Sequence, residues 1–334
     1  MRALVTGATG FIGGRLVERL LEQGATVRVL VRRPEAARAL EARGATLIEG
    51  DLTAPATFAR ALEGVEVVFH CAGLATDWAP AEDFERVNVQ GASELARAAA
   101  QQPTPPRFVH VSTTDVYGYP AQACGDDAPV RDVGLPYNSS KVRGELAVRA
   151  VAAETKLPLT VVRPGTVYGP RSKDWGVEMA KLLGAREMVV IAKGEVPAGL
   201  VYVDNLVDAL LAAAERPAAV GRVYTVRDVT KETWRDYLDA LADGLGVARV
   251  KTSLPRWLAM GLGFCSETLW RLAGAKSRPL ITRHAVEILA RDQCYGIDRA
   301  VNELGFSSRV SFAEGLRRTV SWLESPEGRA ARGL

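Results

Sequence analysis

The first thirteen residues constrain this chain more than any other stretch. A short apolar run, Ala3–Thr6, leads directly into Thr6-Gly7-Ala8-Thr9-Gly10-Phe11-Ile12-Gly13. That glycine spacing lets the backbone turn sharply, approach a pyrophosphate and pack the following helix against the strand. The missing side chains at Gly7 and Gly10 permit the close approach. Glycine-rich turns also arise without ligands, but one set between a first strand and a first helix is the arrangement of a dinucleotide site, which would use Gly7, Thr9, Gly10, Phe11 and Ile12.

The rest of the first half repeats that strand-and-helix alternation. Apolar runs at Ala3–Thr6, Thr26–Val31, Thr46–Glu49, Val65–His70, Arg107–Ser112 and Leu159–Arg163 are separated by stretches of helical period at Phe11–Gln23, Glu35–Ala42, Pro55–Leu62, Glu82–Gln101 and Tyr137–Thr155. Successive βαβ units of this kind predict an α/β fold, a Rossmann-type doubly wound parallel sheet, over residues 1–170. Past Pro170 the order loosens. Leu200–Val203 reads as a strand leading into a helix, Asp204–Glu215, and Arg222–Val226 as a further strand, so residues 200–226 are expected to return to the first domain. Residues 171–199 and 227–330 then form a smaller, mainly helical C-terminal substrate lobe, with Pro255–Ala273 its most apolar stretch.

Composition narrows the class by exclusion. At 334 residues the chain can bury a full core, and a net charge of +3 makes no field strong enough to imply nucleic acid. Cys71, Cys124, Cys265 and Cys294 lie far apart, which fits a reducing compartment better than a disulfide framework or a zinc site. Of the histidines His70, His110 and His284, none has an acidic or thiol partner at metal-ligand spacing, and His70 and His110 read as strand-end residues, so no metal is expected. The chain opens straight into a strand and no apolar run reaches the roughly 18 residues of a spanning helix, so a cytoplasmic location is expected.

Residues after the second, third and fourth strands bear on the nucleotide. NAD-selective sites place an Asp or Glu at the end of the second strand, where this chain has Arg32-Arg33. Arg can bond to a 2′-phosphate that a carboxylate would repel, which favours NADP(H) over NAD(H), with Arg32 the preferred contact; the alternative is a merely solvated strand end. Asp51 could face the adenine amino group with Leu52 on the ring, or Asp51 could simply cap a helix. Cys71-Ala72-Gly73 offers small residues where backbone passes near a cofactor.

Tyr137-Asn138-Ser139-Ser140-Lys141 opens a predicted helix, and the i, i+4 spacing puts a phenol and an ammonium on one face. A phenol with pKa near 10 must come roughly 3 units closer to neutrality, about 4 kcal/mol, to shuttle protons efficiently. A neighbouring Lys⁺ and the positive nicotinamide favour the phenolate and are expected to supply that shift. Val111-Ser112-Thr113-Thr114-Asp115-Val116-Tyr117-Gly118, ending the fifth strand, brings hydroxyls that could bond a substrate oxygen.

With these segments in order, the chain resembles the extended short-chain dehydrogenases/reductases, also on the strength of Asp51-Leu52 and Arg163-Pro164-Gly165-Thr166-Val167-Tyr168-Gly169-Pro170. Its wording is most similar to the 3β-hydroxysteroid and sterol dehydrogenase branch, through His70–Gly73 with Trp78, Phe84–Gly91, Arg278–Arg283 and Leu304-Gly305-Phe306. The resemblance implies Tyr137 as acid/base, Lys141 as the holder of the nicotinamide ribose, and Thr113 as the substrate-orienting hydroxyl where Ser is usual. Ser112 is the second choice for that hydroxyl and could face the cofactor instead; Asn88 would sit near the active site and Pro164-Gly165-Thr166 along the nicotinamide amide. Arg32 departs from the branch's NAD-type members.

The expected activity is therefore interconversion of a secondary alcohol and a ketone on an apolar substrate: a sterol, an acyl chain or an aromatic ketone. Trp257, Leu258, Met260, Leu262, Phe264, Leu269 and Trp270 suit such a substrate, unless they merely build the lobe's core or touch a membrane surface. The alternatives are a nucleotide-sugar epimerase or dehydratase with tightly bound NAD(P), and a non-catalytic NADP-sensing Rossmann protein. A homodimer through Glu82–Gln101 and Tyr137–Thr155 is what the resemblance implies for assembly.

Overall fold

A computed structural model describes residues 1–275 and 277–334. Seven strands form one parallel sheet: β1 (Arg2–Thr6), β2 (Thr26–Val31), β3 (Thr46–Glu49), β4 (Val67–His70), β5 (Arg107–Val111), β6 (Leu159–Pro164) and, at the far edge, β7 (Val223–Val226). Their spatial order is β7-β6-β5-β4-β1-β2-β3. The order reverses between β1 and β4, the point in an open α/β sheet where a ligand crevice forms at the carboxyl ends of the strands.

Both faces of the sheet are covered, which is why its strands read as unbroken apolar runs. Consecutive residues face opposite cores. Val5, Val109 and Val162 join Leu16, Leu20, Leu206 and Leu210 on one side. Leu4, Phe108 and Val161 join Phe58, Leu62, Leu95 and Val148 on the other. Helices Phe11–Glu22 and Val203–Glu215 cover the first face; Phe58–Leu62, Ala92–Ala100 and Pro136–Thr155 cover the second.

Two expected elements differ in kind. Residues 82–101 are not one uniform helix: Ala81–Phe84 passes through a wider π turn, Glu85–Gly91, before Ala92–Ala100. Such bulges recur at functional sites. Here the turn carries Asn88, whose Oδ1 accepts from Leu74 N at 2.7 Å while its Nδ2 donates to Leu74 O at 3.2 Å and to Ser140 Oγ at 2.9 Å. The Pro136–Thr155 helix comes so close that a Cβ on Gly144 would stand 2.2 Å from Asn88 O. The second difference is Leu200–Tyr202, which pairs with Thr166–Tyr168 outside the main sheet, so in residues 200–226 only Val223–Val226 extends that sheet.

The C-terminal part is mainly helical, as expected. In helix Arg256–Leu272 the inward stripe is Ala259, Gly263 and Glu267, not the large residues. A Cβ on Gly263 would lie 3.0 Å from Arg283 N, and Glu267 accepts from Arg283 N and Nε at 2.7 and 2.9 Å. Because close packing uses the small face, Trp257 (74% exposed), Phe264 (56%), Leu269 and Leu272 (82%) turn outward. The reading of this stretch as the lobe's own core is corrected for those side chains. No helix among the described residues is long and apolar enough to cross a membrane.

Candidate active site

The crevice is shaped by absent side chains. Gly7 has φ +70°, and a Cβ there would lie 2.7 Å from Ala72 N; one on Gly13 would lie 2.4 Å from Gly7 O. The first turn, the start of the first helix and Cys71-Ala72-Gly73 thus meet where β1 and β4 end. Thr6 Oγ1 fixes the meeting, accepting from Ala72 N at 3.2 Å and sharing a 2.8 Å bond with His70 Nδ1. Helix Phe11–Glu22 begins at Gly10 with no side-chain cap and no acidic residue in its first turn, so its N–H groups and positive end stay available to an anion. These features fit a pyrophosphate. Thr9 is exposed and Phe11 and Ile12 half-buried beside them.

Around this cradle, Arg32 and Arg33 are exposed at the end of β2, and neither is ion-paired among the described residues. Asp51 caps its own turn, its Oδ1 accepting from Thr53 N at 2.8 Å and Thr53 Oγ1 at 2.9 Å. It is not the N-cap of the next helix, which begins after Ala54. Leu52 is buried against the π turn, where a Cβ on Gly91 would be 2.9 Å from Leu52 Cβ. Gly165 N donates to Val226 O at 2.9 Å and Thr166 Oγ1 to Ala198 O at 2.8 Å, which ties Pro164-Gly165-Thr166 to neighbouring backbone.

Deeper in the crevice, the Pro136–Thr155 helix brings Tyr137 and Lys141 to the end of β5. Lys141 Nζ donates to Val111 O at 3.1 Å. Burial lowers its pKa to about 8, against the pull of Glu145, Asp115 and Cys71. The Cys71 thiol is pushed up to about 12 by burial, so it stays neutral. Thr113 Oγ1 donates to Asp115 Oδ2 at 2.9 Å and accepts from Asp115 N at 3.2 Å.

Tyr137 is half-buried at the start of that helix. Burial, then the charges of Asp115 and Asp174, push its phenol above the usual range. The Lys141 ammonium is held at Val111 O, and the lowering expected from it together with the nicotinamide belongs to the cofactor-bound site. The phenol keeps its proton. Ser112 lies beside this cluster with its hydroxyl committed elsewhere, donating at 2.7 Å to buried Glu145, which also binds Arg163 through Nε at 3.0 Å and Nη2 at 2.5 Å.

Sequence reasoning missed His284. Its ring meets Tyr137 edge-on at 5.3 Å between centroids, with Nε2 3.5 Å from Asp115 Oδ1 and Nδ1 3.6 Å from Asp77 Oδ2. Burial pulls its pKa down, but the charges of Asp115 and Asp77 prevail and raise it to about 9. Asp77 is further held by Arg278 Nε at 2.7 Å and by Thr282 Oγ1 at 2.5 Å. Asn138 was also missed: it binds the Asp115 and Arg131 carbonyls and the Val133 amide, fixing the loop before the helix. His70 and His110, by contrast, are buried strand residues stacked at 5.4 Å and kept neutral by burial and the Lys141 charge.

A parallel sheet with a pyrophosphate cradle at its switch point, and a Tyr/Lys pair with a hydroxyl beside it, defines an extended short-chain dehydrogenase/reductase. The model of the NAD dependent epimerase/dehydratase family matches residues 3–226, and the chain belongs to that family. It is 31% identical to 4-hydroxy-2-methyl-3-oxo-4-farnesyl-3,4-dihydroquinoline-1-oxide ketoreductase of Stigmatella aurantiaca, covering 95% of each chain. It is 29% identical to 2-alkyl-3-oxoalkanoate reductase of Stenotrophomonas maltophilia (95% of this chain, 98% of that one) and 28% identical to UDP-glucose 4-epimerase of Mycolicibacterium smegmatis (97% and 99%). The crystal structure of gox2253 superposes with a TM-score of 0.80 at 27% identity, covering 99% of both chains. The chain is accordingly an NAD-dependent enzyme of the dehydrogenase/reductase type acting on CH–OH groups.

Proposed function

We propose that this enzyme reduces a ketone on an apolar substrate to a secondary alcohol, with NADP(H) preferred over NAD(H). The observation that carries the reading is the half-buried Tyr137 one helical turn before Lys141, whose Nζ is anchored on Val111 O at the end of β5, next to Thr113 in the chain. A protonated phenol is equipped to donate to a carbonyl oxygen as that oxygen gains charge. Thr113 orients the carbonyl, and Lys141, anchored on Val111 O, supplies positive charge to the nicotinamide ribose side of the crevice. A reduced nicotinamide, when bound, supplies the hydride. Gly7, Gly10 and Gly13 give the pyrophosphate its room, with Thr9, Phe11 and Ile12 at its edge. Asp51, Leu52, Cys71-Ala72-Gly73 and Pro164-Gly165-Thr166 line the remaining length, and Arg32 meets the 2′-phosphate. Asn88 holds the Leu74 backbone at the border of the site.

The same triad could serve a nucleotide-sugar epimerase, but a diphosphate needs free cations. Here the charges of Asp115 and Asp174 act on Tyr137, and the nearby cations Arg278 and His284 are engaged by Asp77 and Asp115. That arrangement suits an uncharged carbonyl better. The test is consumption of NADPH and of NADH with a 2-alkyl-3-oxoalkanoate and with aromatic and steroid ketones, alongside epimerisation of UDP-glucose. Turnover of a ketone that disappears in Tyr137→Phe, with NADPH affinity kept within a small factor, is the expected result. Epimerisation of UDP-glucose without net cofactor consumption would overturn it.

A further inference from the structure

We propose that His284 is a positioning residue for proton transfer at Tyr137: clamped as an imidazolium between Asp77 and Asp115, it neutralises the carboxylate that adjoins the phenol. The inference rests on Tyr137 being the proton donor. When Tyr137 gives its proton to a substrate oxygen, its O–H bond breaks, the alcohol O–H forms, and a phenolate remains until solvent reprotonates it. That phenolate would then face the Asp115 carboxylate in a buried site, where like charges repel strongly. A cation must offset the pair. Lys141, anchored on Val111 O, supplies one from the helix side, and His284 a second, with its ring on Tyr137 and Nε2 3.5 Å from Asp115 Oδ1.

The surroundings of His284 are built for this. From the loop after β4, Asp77 holds Nδ1, and Asp77 is itself fixed by Arg278 and Thr282 from the segment before the histidine's own helix. From the loop after β5 come Asp115, which also takes the Thr113 hydroxyl, and Tyr119, edge-on at 6.1 Å between centroids. Asp174 faces Tyr137 and Arg278 from the Lys173–Glu178 turn. Nε2 is buried without a hydrogen-bond partner that satisfies its geometry, 3.5 Å from Asp115 Oδ1, so the contact with Asp115 acts through charge more than through a formed hydrogen bond. Two carboxylates gripping one imidazole keep it charged at neutral pH, in agreement with its rise to about 9.

Because the chain has only three histidines, ¹³Cε1 labelling of the intact protein reads this directly. One resonance, assigned by its loss in His284→Gln, should titrate at about 9, and Asp115→Asn should move it down. A His284 resonance titrating at or below its ordinary 6.5 overturns the proposal without any variant beyond the assignment. In reduction of a 2-alkyl-3-oxoalkanoate, wild-type kcat should fall as pH rises through the same titration. His284→Gln should be roughly tenfold slower at pH 7 with that alkaline limb gone, and Asp115→Asn added to it should recover part of the loss. A His284→Gln profile matching wild type, with Tyr137→Phe inactive, defeats this proposal alone; activity surviving in Tyr137→Phe defeats the reading beneath it.

Discussion

The ion pair beneath the site offers the sharpest test of how its floor is held. Arg163, 1% exposed, binds Glu145, 0% exposed, through two contacts at 3.0 and 2.5 Å, and Glu145 also accepts from Ser112. Glu145→Leu fills a similar volume but strands a buried guanidinium, for which breaking one side of a buried pair costs about 3–5 kcal/mol. At about 2–4 °C per kcal/mol for domains somewhat smaller than this chain, Tm should drop by on the order of 10 °C. Adding Arg163→Met removes the stranded charge, and the double variant should recover most of the loss. Burial opposes ionisation of Glu145, yet Arg163 holds its carboxyl below the ordinary 4.5. Its contribution is therefore present above that value and lost as pH falls through the lower folded one, so wild type and Glu145→Leu should converge in acid. Urea melts at pH 7 and in acid measure both effects. A loss under about 1 kcal/mol, or a double variant no more stable than the single one, would refute the reasoning.

Three other outcomes are expected. Arg32→Glu should weaken NADPH binding roughly tenfold or more while leaving NADH little changed, read by quenching of protein fluorescence; equal loss for both would detach Arg32 from the 2′-phosphate. Gly13→Ala puts a methyl 2.4 Å from Gly7 O, so nucleotide affinity should collapse in a protein that still folds, as circular dichroism and the same titration can establish. His284, raised from 6.5 to about 9, contributes stability that is complete below 6.5 and fades as pH rises through about 9. The rise corresponds to about 3 kcal/mol, so the gap in urea midpoint between wild type and His284→Gln should narrow on going to alkaline pH; a constant gap would deny it.

Strands β1, β4, β5 and β6 were legible almost to the residue because a parallel strand buried on both faces shows as an apolar run, and β3, half-exposed at the sheet edge, through its short Leu47-Ile48 pair. The glycine turn was equally legible, since Gly7 and Gly13 answer to backbone contacts that any side chain would break. The π turn was not: Glu85–Gly91 keeps helical composition, and its widening accompanies Asn88 bonds to Leu74, a loop residue. Nor was the Asp77–His284–Asp115 arrangement, because its members come from three distant segments and no local spacing marks them. The outward turn of Trp257 and Phe264 escaped for a related reason: hydrophobicity counts size, whereas the helix packs through Ala259 and Gly263. The upward push on the Tyr137 phenol comes first from burial and then from carboxylates at positions 115 and 174, none of which a Tyr/Lys spacing reveals.

Gly144 stands two turns along the helix from Tyr137 and less than one from Lys141, pressed on the carbonyl of Asn88. The whole rod that carries the phenol and the amine is therefore indexed to a neighbouring backbone at a point where no chemistry occurs. Swelling that point by a single methyl would tilt both reactive groups together, so a fault in enzyme output could originate in a residue that never meets substrate.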